Sequence, residues 1–292
     1  MAVKSIHNLV AGFARTVGGV NVVRRGRMAL IETKIGQNGI ETIDKVKRSI
    51  KRLKYHEPEE GYYLAYSGGK DSDVALDLAK RAGVKFDAHY NLTTVDPPKL
   101  VNHIKNKHPE VIVDKPEMTM WDLIVKKKMP PTRIVRYCCE VLKERGGDGR
   151  FVVTGIRWQE SNSRSERRMV EQCNKSANKM YLHPIIDWTE QDVWDYIKSR
   201  NIDYCKLYDE GYSRLGCIMC PMSGQNGMKK DAKKWPTYKK SYIKAFDKMI
   251  EHRKETGLET DWKNGKEVMD WWINGCNKDD AVEGQTKLCF DN

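Results

Sequence analysis

The sequence predicts an α/β fold: a doubly wound, mostly parallel sheet, with a basic N-terminal arm and helix before it and a helical extension after it. Three observations lead there. From Gly61, strand-like and helix-like runs alternate in the order βαβαβ, the pattern of parallel strands joined by right-handed crossovers. Within it, "YYLAYSGGKDSDVALDLA" (Tyr62 to Ala79) passes from strand-favouring residues through two glycines into a helix-period run. Beyond Gly224 the strand patterns give way to long basic helical stretches.

Taken in order, the arm before Glu32, the first acidic residue, is rich in arginine and glycine, and "TVGGVNVVRRGRMALIETKIGQNG" reads as a short hairpin. Ile40, Ile43, Val46, Ile50 and Leu53 recur every three or four positions, which predicts an amphipathic helix over 39–55 with a basic outer face. A strand runs to Tyr66, a helix to Arg81, a strand from Val84, a helix over "PPKLVNHIKNKH" and a strand over "EVIVDK". "FVVTGIRW" from Phe151 is a further strand. "LHPIIDWTEQDVWDYIKSRN" is a strand-like entry to a helix capped at Thr189, with Glu190 and Asp192 in its first turn. "DAKKWPTYKKSYIKAFDKMIEHRKETG" is a long basic helix interrupted or begun at Pro236, followed by a tryptophan-bearing helix around "EVMDWWING" and a tail. The expected organisation is an arm and helix over 1–57, a nucleotide-binding domain over 58–225 and a helical extension over 226–292.

Composition places the chain among soluble globular proteins, with 39% hydrophobic and 32% charged residues in 292. No apolar run approaches a membrane span. The net charge of +12 favours an anionic partner, a nucleotide or a nucleic acid. Eight cysteines without a secretory segment point to metal, redox or buried thiols in a reducing, cytoplasmic compartment rather than to a disulfide framework.

The glycine turn has a chemistry of its own. Gly68 and Gly69 let the backbone turn its amides toward one point, and the following helix adds its positive end. Lys70 brings a full charge, and Ser67 and Ser72 bring hydroxyl donors, so phosphate oxygens are the natural guest. Asp71 and Asp73 either cap the helix or carry Mg²⁺ to a polyphosphate.

Four cysteines form two close pairs, Cys138 with Cys139 and Cys217 with Cys220. The CxxC spacing lets two sulfurs turn toward one centre. Adjacent side chains diverge, so Cys138 and Cys139 fit poorly on one tetrahedral Zn²⁺ but suit separate corners of a [4Fe–4S] cubane. Zinc and unligated thiols remain alternatives at this point. Cys173, Cys205 and Cys276 read as packing residues. Cys289, the fourth residue from the end, is either incidental or a mobile nucleophile.

Together these segments resemble one family. "SGGKDS" resembles the PP-loop of adenine-nucleotide α-hydrolases, a Rossmann-like fold. "TGIRWQESNSR" (Thr154 to Arg164) resembles the substrate loop of phosphoadenosine phosphosulfate (PAPS) and adenylyl-sulfate (APS) reductases. "HPIIDWTEQDVWDYI" and "YDEGYSRLGCIMCP" are similar to the segments that follow in that family, in the same order. The CC and CxxC pairs look like the cluster ligands of its adenylyl-sulfate branch.

The resemblance implies that Ser67 to Ser72 cradle phosphates, with Gly155 and Arg157 beside the nucleotide and Arg164 near its anionic end. A guanidinium's planar fork suits such anions. Asp187 and Trp188 are expected to set up the next helix, and Trp194 to lie in the core. The chain departs from the reductases in lacking their terminal Glu-Cys-Gly-aliphatic-His motif; Cys289 has other neighbours. Lys70 and the second glycine look more like the ATP-splitting branch, which includes DNA phosphorothioation and transfer-RNA thiolation proteins.

The leading expectation is therefore ATP-dependent sulfur transfer with a [4Fe–4S] cluster and Mg²⁺, using Lys70, Asp71 and Arg157, with transfer RNA or DNA as acceptor and a sulfur-donor protein. The first alternative is a sulfonucleotide reductase releasing sulfite from APS or PAPS through Cys289, with thioredoxin as reductant. The second is a zinc-stabilised, non-catalytic nucleic-acid binder.

Overall fold

A computed structural model of the chain describes residues 16–17, 20–21, 30–36, 39–173 and 176–275. Cys276 and Cys289 lie outside the described residues. The chain divides into two compact units: Met1–Ala88 with Gly149–Tyr204, and His89–Asp148 with Cys205–Asn292.

The first unit begins with two antiparallel hairpins, β1 (Thr16–Val17) with β2 (Val20–Asn21), and β3 (Ile31–Gly36) with β4 (Gly39–Asp44). The apolar period predicts a helix from Gly39, but Gly39–Asp44 is a strand. Its β-branched residues pair with β3, and the Asp44 side chain accepts from Lys47 N at 3.0 Å, which caps helix α1 (Lys45–Tyr55) six residues later than the apolar period suggests. After α1 come β5 (Tyr62–Ala65), α2 (Lys70–Ala82) and β6 (Phe86–Asn91).

Later segments of this unit are β8 (Phe151–Val153), the short α5 (Asn162–Ser165), β9 (Val170–Cys173), β10 (Ser176–Leu182) and α6 (Glu190–Arg200); β7 (Ile112–Asp114) belongs to the second unit. The α/β architecture is as expected. β5, β8 and β10 run parallel, and β9 closes the edge antiparallel to β10. With β6 beside β5 and β7 beside the end of β6, the strand order is β7-β6-β5-β8-β10-β9. Tyr62, Leu64, Val74, Leu78, Val153 and Leu182 are buried between strands and helices. The β9–β10 hairpin is absent from the sequence reading, because its residues do not alternate cleanly enough to separate strand from loop.

The basic face of α1 is not simply solvated. Arg52 donates to both carboxylate oxygens of Asp187 at 2.9 and 2.8 Å, Arg48 joins the same carboxylate, and Lys45 Nζ meets Asp192 at 2.7 Å. Trp188, fully buried, donates to Ser49 Oγ at 3.1 Å. Asp187 and Trp188 therefore anchor α1, while Thr189 and Asp192 form the capping box of α6.

Burial pushes the carboxyls of Asp187 and Asp192 up, but Arg52 and Arg48 on the first, and Lys45 and Thr189 on the second, outweigh it and hold both below the ordinary value. Groups depressed in the folded state stabilise it fully above the unfolded carboxyl pKa, about 4. That stability is lost as pH falls through the folded values. The melting temperature should thus drop on acidification below about pH 4, and Asp187→Asn should flatten that drop. Equal slopes for both proteins would contradict the assignment.

The second unit holds the end of β6, whose His89–Asn91 pair in parallel with β7 (Ile112–Asp114), and helices α3 (Pro98–Lys107), α4 (Met120–Lys127), α7 (Gly224–Lys234), α8 (Pro236–Glu255) and α9 (Gly265–Asn274). The expected long basic helix is two helices, divided at Trp235 with Pro236 in the first turn of α8. Leu123, Tyr242, Phe246, Met249, Met269 and Trp272 form the core between them. Trp272 donates to Pro131 O at 2.6 Å and Tyr242 to Ile218 O at 3.1 Å. Among the described residues no helix is long and apolar enough to cross a membrane.

Candidate functional site

The turn between β5 and α2 has the geometry its glycines allow. Gly68 takes φ 69°, a left-handed conformation, and Gly69 is the extended cap of α2. The serines brace this turn. Ser72 Oγ donates to Gly69 O at 2.8 Å and accepts from Ser67 N at 3.2 Å, with Ser67 Oγ also 3.2 Å away. Ser72 N and Asp73 N donate to Gly69 O at 2.8 and 3.0 Å, and the first turn of α2 carries the positive end of its dipole.

Two segments far apart in sequence meet here. Arg157, 4% exposed, donates from Nε to Asp71 Oδ1 at 2.6 Å. A Cβ on Gly155 would sit 2.7 Å from the backbone carbonyl of Asp71, so only glycine permits this approach. The structure thus brings Gly155 and Arg157 onto the glycine turn. Among the described residues, Nη1 of Arg157 is buried without a hydrogen-bond partner, which leaves one edge of a buried guanidinium for a ligand.

Lys70 is buried to 4% exposure, with Nζ 3.5 Å from both Asp71 and Glu190. Glu190, the first residue of α6, is a member of the site that sequence reasoning treated only as a helix-start signal. Asp73 lies beneath the turn, 1% exposed, and accepts from Tyr66 OH at 2.5 Å. Burial pushes its carboxyl up to about 7, against the lowering effect of Tyr66 and with a further rise from Asp71. Asp71 and Asp73 are therefore not a pair of open carboxylates: one is held by Arg157 and Lys70, the other is enclosed. Arg164, on α5, pairs with Glu160, four residues before it.

All four paired cysteines fall in the second unit. Cys138 precedes a wide helical turn, Cys139–Lys143. Between Cys217 and Cys220, Ile218 N donates to Val95 O at 2.8 Å, Met219 takes φ 58°, and Met219 N donates to the buried Asp231 at 2.8 Å. These bonds bend the CxxC segment into a closed turn.

The four thiols lie within electrostatic reach of one another. Cys138 is raised by its hydrogen bond with Cys139, by burial and by the charges of Cys139, Cys217 and Cys220. Cys139 is lowered by that same bond, against burial, and by Arg136, whose Nη2 donates to its sulfur at 3.5 Å, and Lys143. Burial raises Cys217, while Lys143 opposes it. Lys143 in turn is raised chiefly by the charge of Cys217, against its own burial. A donor set of four soft thiols flanked by two cations fits a four-thiolate centre of net charge −2, as both [4Fe–4S]²⁺ and Zn²⁺ would give. Arg136 and Lys143 carry no motif signal alone; their spacing from Cys138 and Cys139 is the only trace of them in the sequence.

Of the single cysteines, Cys205 is fully buried and Cys173 accepts from Tyr181 OH at 3.8 Å. Trp194 is half-buried against Tyr204, with ring centroids 5.2 Å apart. On α8, Tyr242 is core, and Trp235 and Tyr238 pack against that core rather than standing out between the lysines.

Residues 61–223, more than half of the chain, match the phosphoadenosine phosphosulfate reductase domain. The chain belongs to this family. Membership places it in the PP-loop superfamily. Similar proteins include an adenosine 5'-phosphosulfate reductase of Oceanobacillus iheyensis, 28% identical over 59% of this chain and 75% of that one. A second, from Staphylococcus haemolyticus, is 26% identical over 70% and 89%. An uncharacterised protein of Methanocaldococcus jannaschii is 28% identical over 76% of this PAPS-reductase-family chain and 55% of its own length. The chain thus spans about half of that relative, and 40% of a second from the same organism. Among solved structures, the phosphoadenylyl-sulfate reductase of Candida auris is similar, with 16% identity over 59% of this chain and 89% of that one and a TM-score of 0.46.

Proposed function

We propose that this chain is an enzyme that binds the phosphate end of an adenine nucleotide at Ser67–Ser72 and carries out nucleotide-dependent sulfur chemistry, with a [4Fe–4S] centre on Cys138, Cys139, Cys217 and Cys220. The observation that carries the nucleotide reading is Arg157: buried, held to Asp71 by one edge, and unpartnered at Nη1. A buried guanidinium with an unused edge beside an amide-lined turn is a place for a phosphate oxygen. Gly68, Gly69 and Lys70 surround the same ligand, Ser67 and Ser72 hold the turn rigid, and Arg164 steers the anionic end.

The nucleotide favoured is ATP with Mg²⁺. An acceptor oxygen attacks the α-phosphorus, pyrophosphate leaves, and a sulfur nucleophile then displaces AMP. Lys70 offsets the charge that develops on the pyrophosphate, and Gly155 and Arg157 orient the α-phosphate. When bound, the iron–sulfur centre supplies electron-transfer capacity and a strong local field. A nucleic acid is the acceptor class that suits the exposed Lys229, Lys233, Lys240 and Lys244 of α7 and α8.

The named relatives favour a second reading, reduction of a sulfonucleotide to sulfite with Cys289 as nucleophile and a thioredoxin-type reductant. Incubation with ATP and, separately, with labelled adenylyl sulfate distinguishes them. Pyrophosphate release from ATP is expected, with no sulfite from adenylyl sulfate. Sulfite release that disappears in Cys289→Ala would replace the first reading with the second.

A further inference from the structure

The segment carrying Gly155, Arg157 and Arg164 leaves β8 at Thr154 and re-enters the sheet at β9, which contains Glu171. Both of its ends meet on one side chain. His183 is fully buried just after β10, with Nδ1 2.7 Å from Thr154 Oγ1 and Nε2 3.2 Å from Glu171 Oε1. Its backbone amide also donates to Met169 O at 2.8 Å. We propose that His183 is the clasp of this loop, a positioning residue whose two ring nitrogens tie residue 154 to residue 171 and so hold Gly155 and Arg157 against the glycine turn.

The proton arrangement follows from the partners. Burial pushes Glu171 up, but bonds from Arg167, His183 and the Arg168 amide hold it below the usual carboxylate value, so it accepts only. Nε2 must then carry the proton. Burial lowers His183, so the ring is neutral and Nδ1 accepts from the Thr154 hydroxyl. Thr154 Oγ1 is left to receive Ile156 N at 3.4 Å, which reaches the residue between Gly155 and Arg157. The other groups facing the ring are Arg167 and Arg164 from the loop and Tyr181 of β10, stacked at 6.0 Å.

Hydrogen exchange on the ligand-free full chain tests the clasp independently of any nucleotide. His183→Gln and Thr154→Val should each speed exchange of amides between 155 and 170 by about tenfold while leaving those of α6 unchanged, and Thr154→Ser should restore protection. In long-range proton–nitrogen spectra the His183 ring should show the neutral form protonated at Nε2. The opposite tautomer, or an unaltered loop in Thr154→Val, overturns the proposal. If His183→Gln does not fold, the valine and serine variants decide alone.

The role toward ligand rests on the nucleotide reading, and the two fail separately. Thr154→Val is expected to weaken ATP binding about tenfold, with recovery in Thr154→Ser. Wild-type protein that binds no nucleotide yet shows the exchange pattern refutes the nucleotide reading and keeps the clasp. Equal ATP binding by wild type and Thr154→Val refutes the clasp's role in binding.

Discussion

Lys70→Ala is expected to weaken ATP binding by about 10- to 100-fold, the range for losing a charged hydrogen-bond donor from a desolvated site. Lys70 is 4% exposed, and its ammonium stands 3.5 Å from two carboxylates. Truncation leaves Asp71 with Arg157 and leaves Glu190, whose side chain is half exposed, to water. The fold should therefore survive, with an unchanged far-UV spectrum, because Asp71 keeps its existing pair with Arg157 and Glu190 is hydrated. Lys70→Arg should not rescue fully, since a planar fork does not occupy an ammonium's position. Titration calorimetry measures both variants. An affinity equal to wild type would remove the phosphate cradle from the account.

Anaerobically purified protein is expected to carry about four iron and four sulfide per chain, and Cys138→Ala or Cys217→Ala should each bring iron below half of that. The expectation follows from two facts about the thiols. Four of them share one locale, with Arg136 and Lys143 against their charge. Two are adjacent in sequence, a geometry that a single tetrahedral ion accommodates poorly. Loss of the centre should also lower the melting temperature, because binding to the folded ligand set is itself folding free energy. Colourless protein holding one zinc and no iron would overturn the iron–sulfur assignment and support the zinc alternative.

Where sequence reasoning succeeded, the interactions were local. The strand, glycine pair and helix around Ser67–Ser72 follow from residue preferences over fewer than twenty positions. Thr189 and Asp192 form a capping box within one turn. Where it failed, packing or pairing with another segment decided. Gly39–Asp44 shares its apolar spacing with a helix, and pairing with β3 makes it a strand. The β9–β10 hairpin leaves no clean alternation in the sequence from which to read it. Among the lysines of the extension, Trp235 and Tyr238 could lie on a core or stand free, and packing on the core formed by α4, α8 and α9 decides it.

The sequence alone determined the α/β class, the glycine turn, the four paired cysteines and the resemblance that the family match bears out, because each is a short pattern whose chemistry is set by neighbours along the chain. Only the tertiary structure decided what those groups do to one another. It turned the serine hydroxyls inward, buried Lys70 beside Glu190, set Arg157 on Asp71 and tied Thr154 to Glu171 through His183. Those contacts join residues up to 120 positions apart (Lys70 to Glu190). Pairings of that reach leave no periodic trace in the sequence, because they are selected by burial and by the need to satisfy each buried polar group.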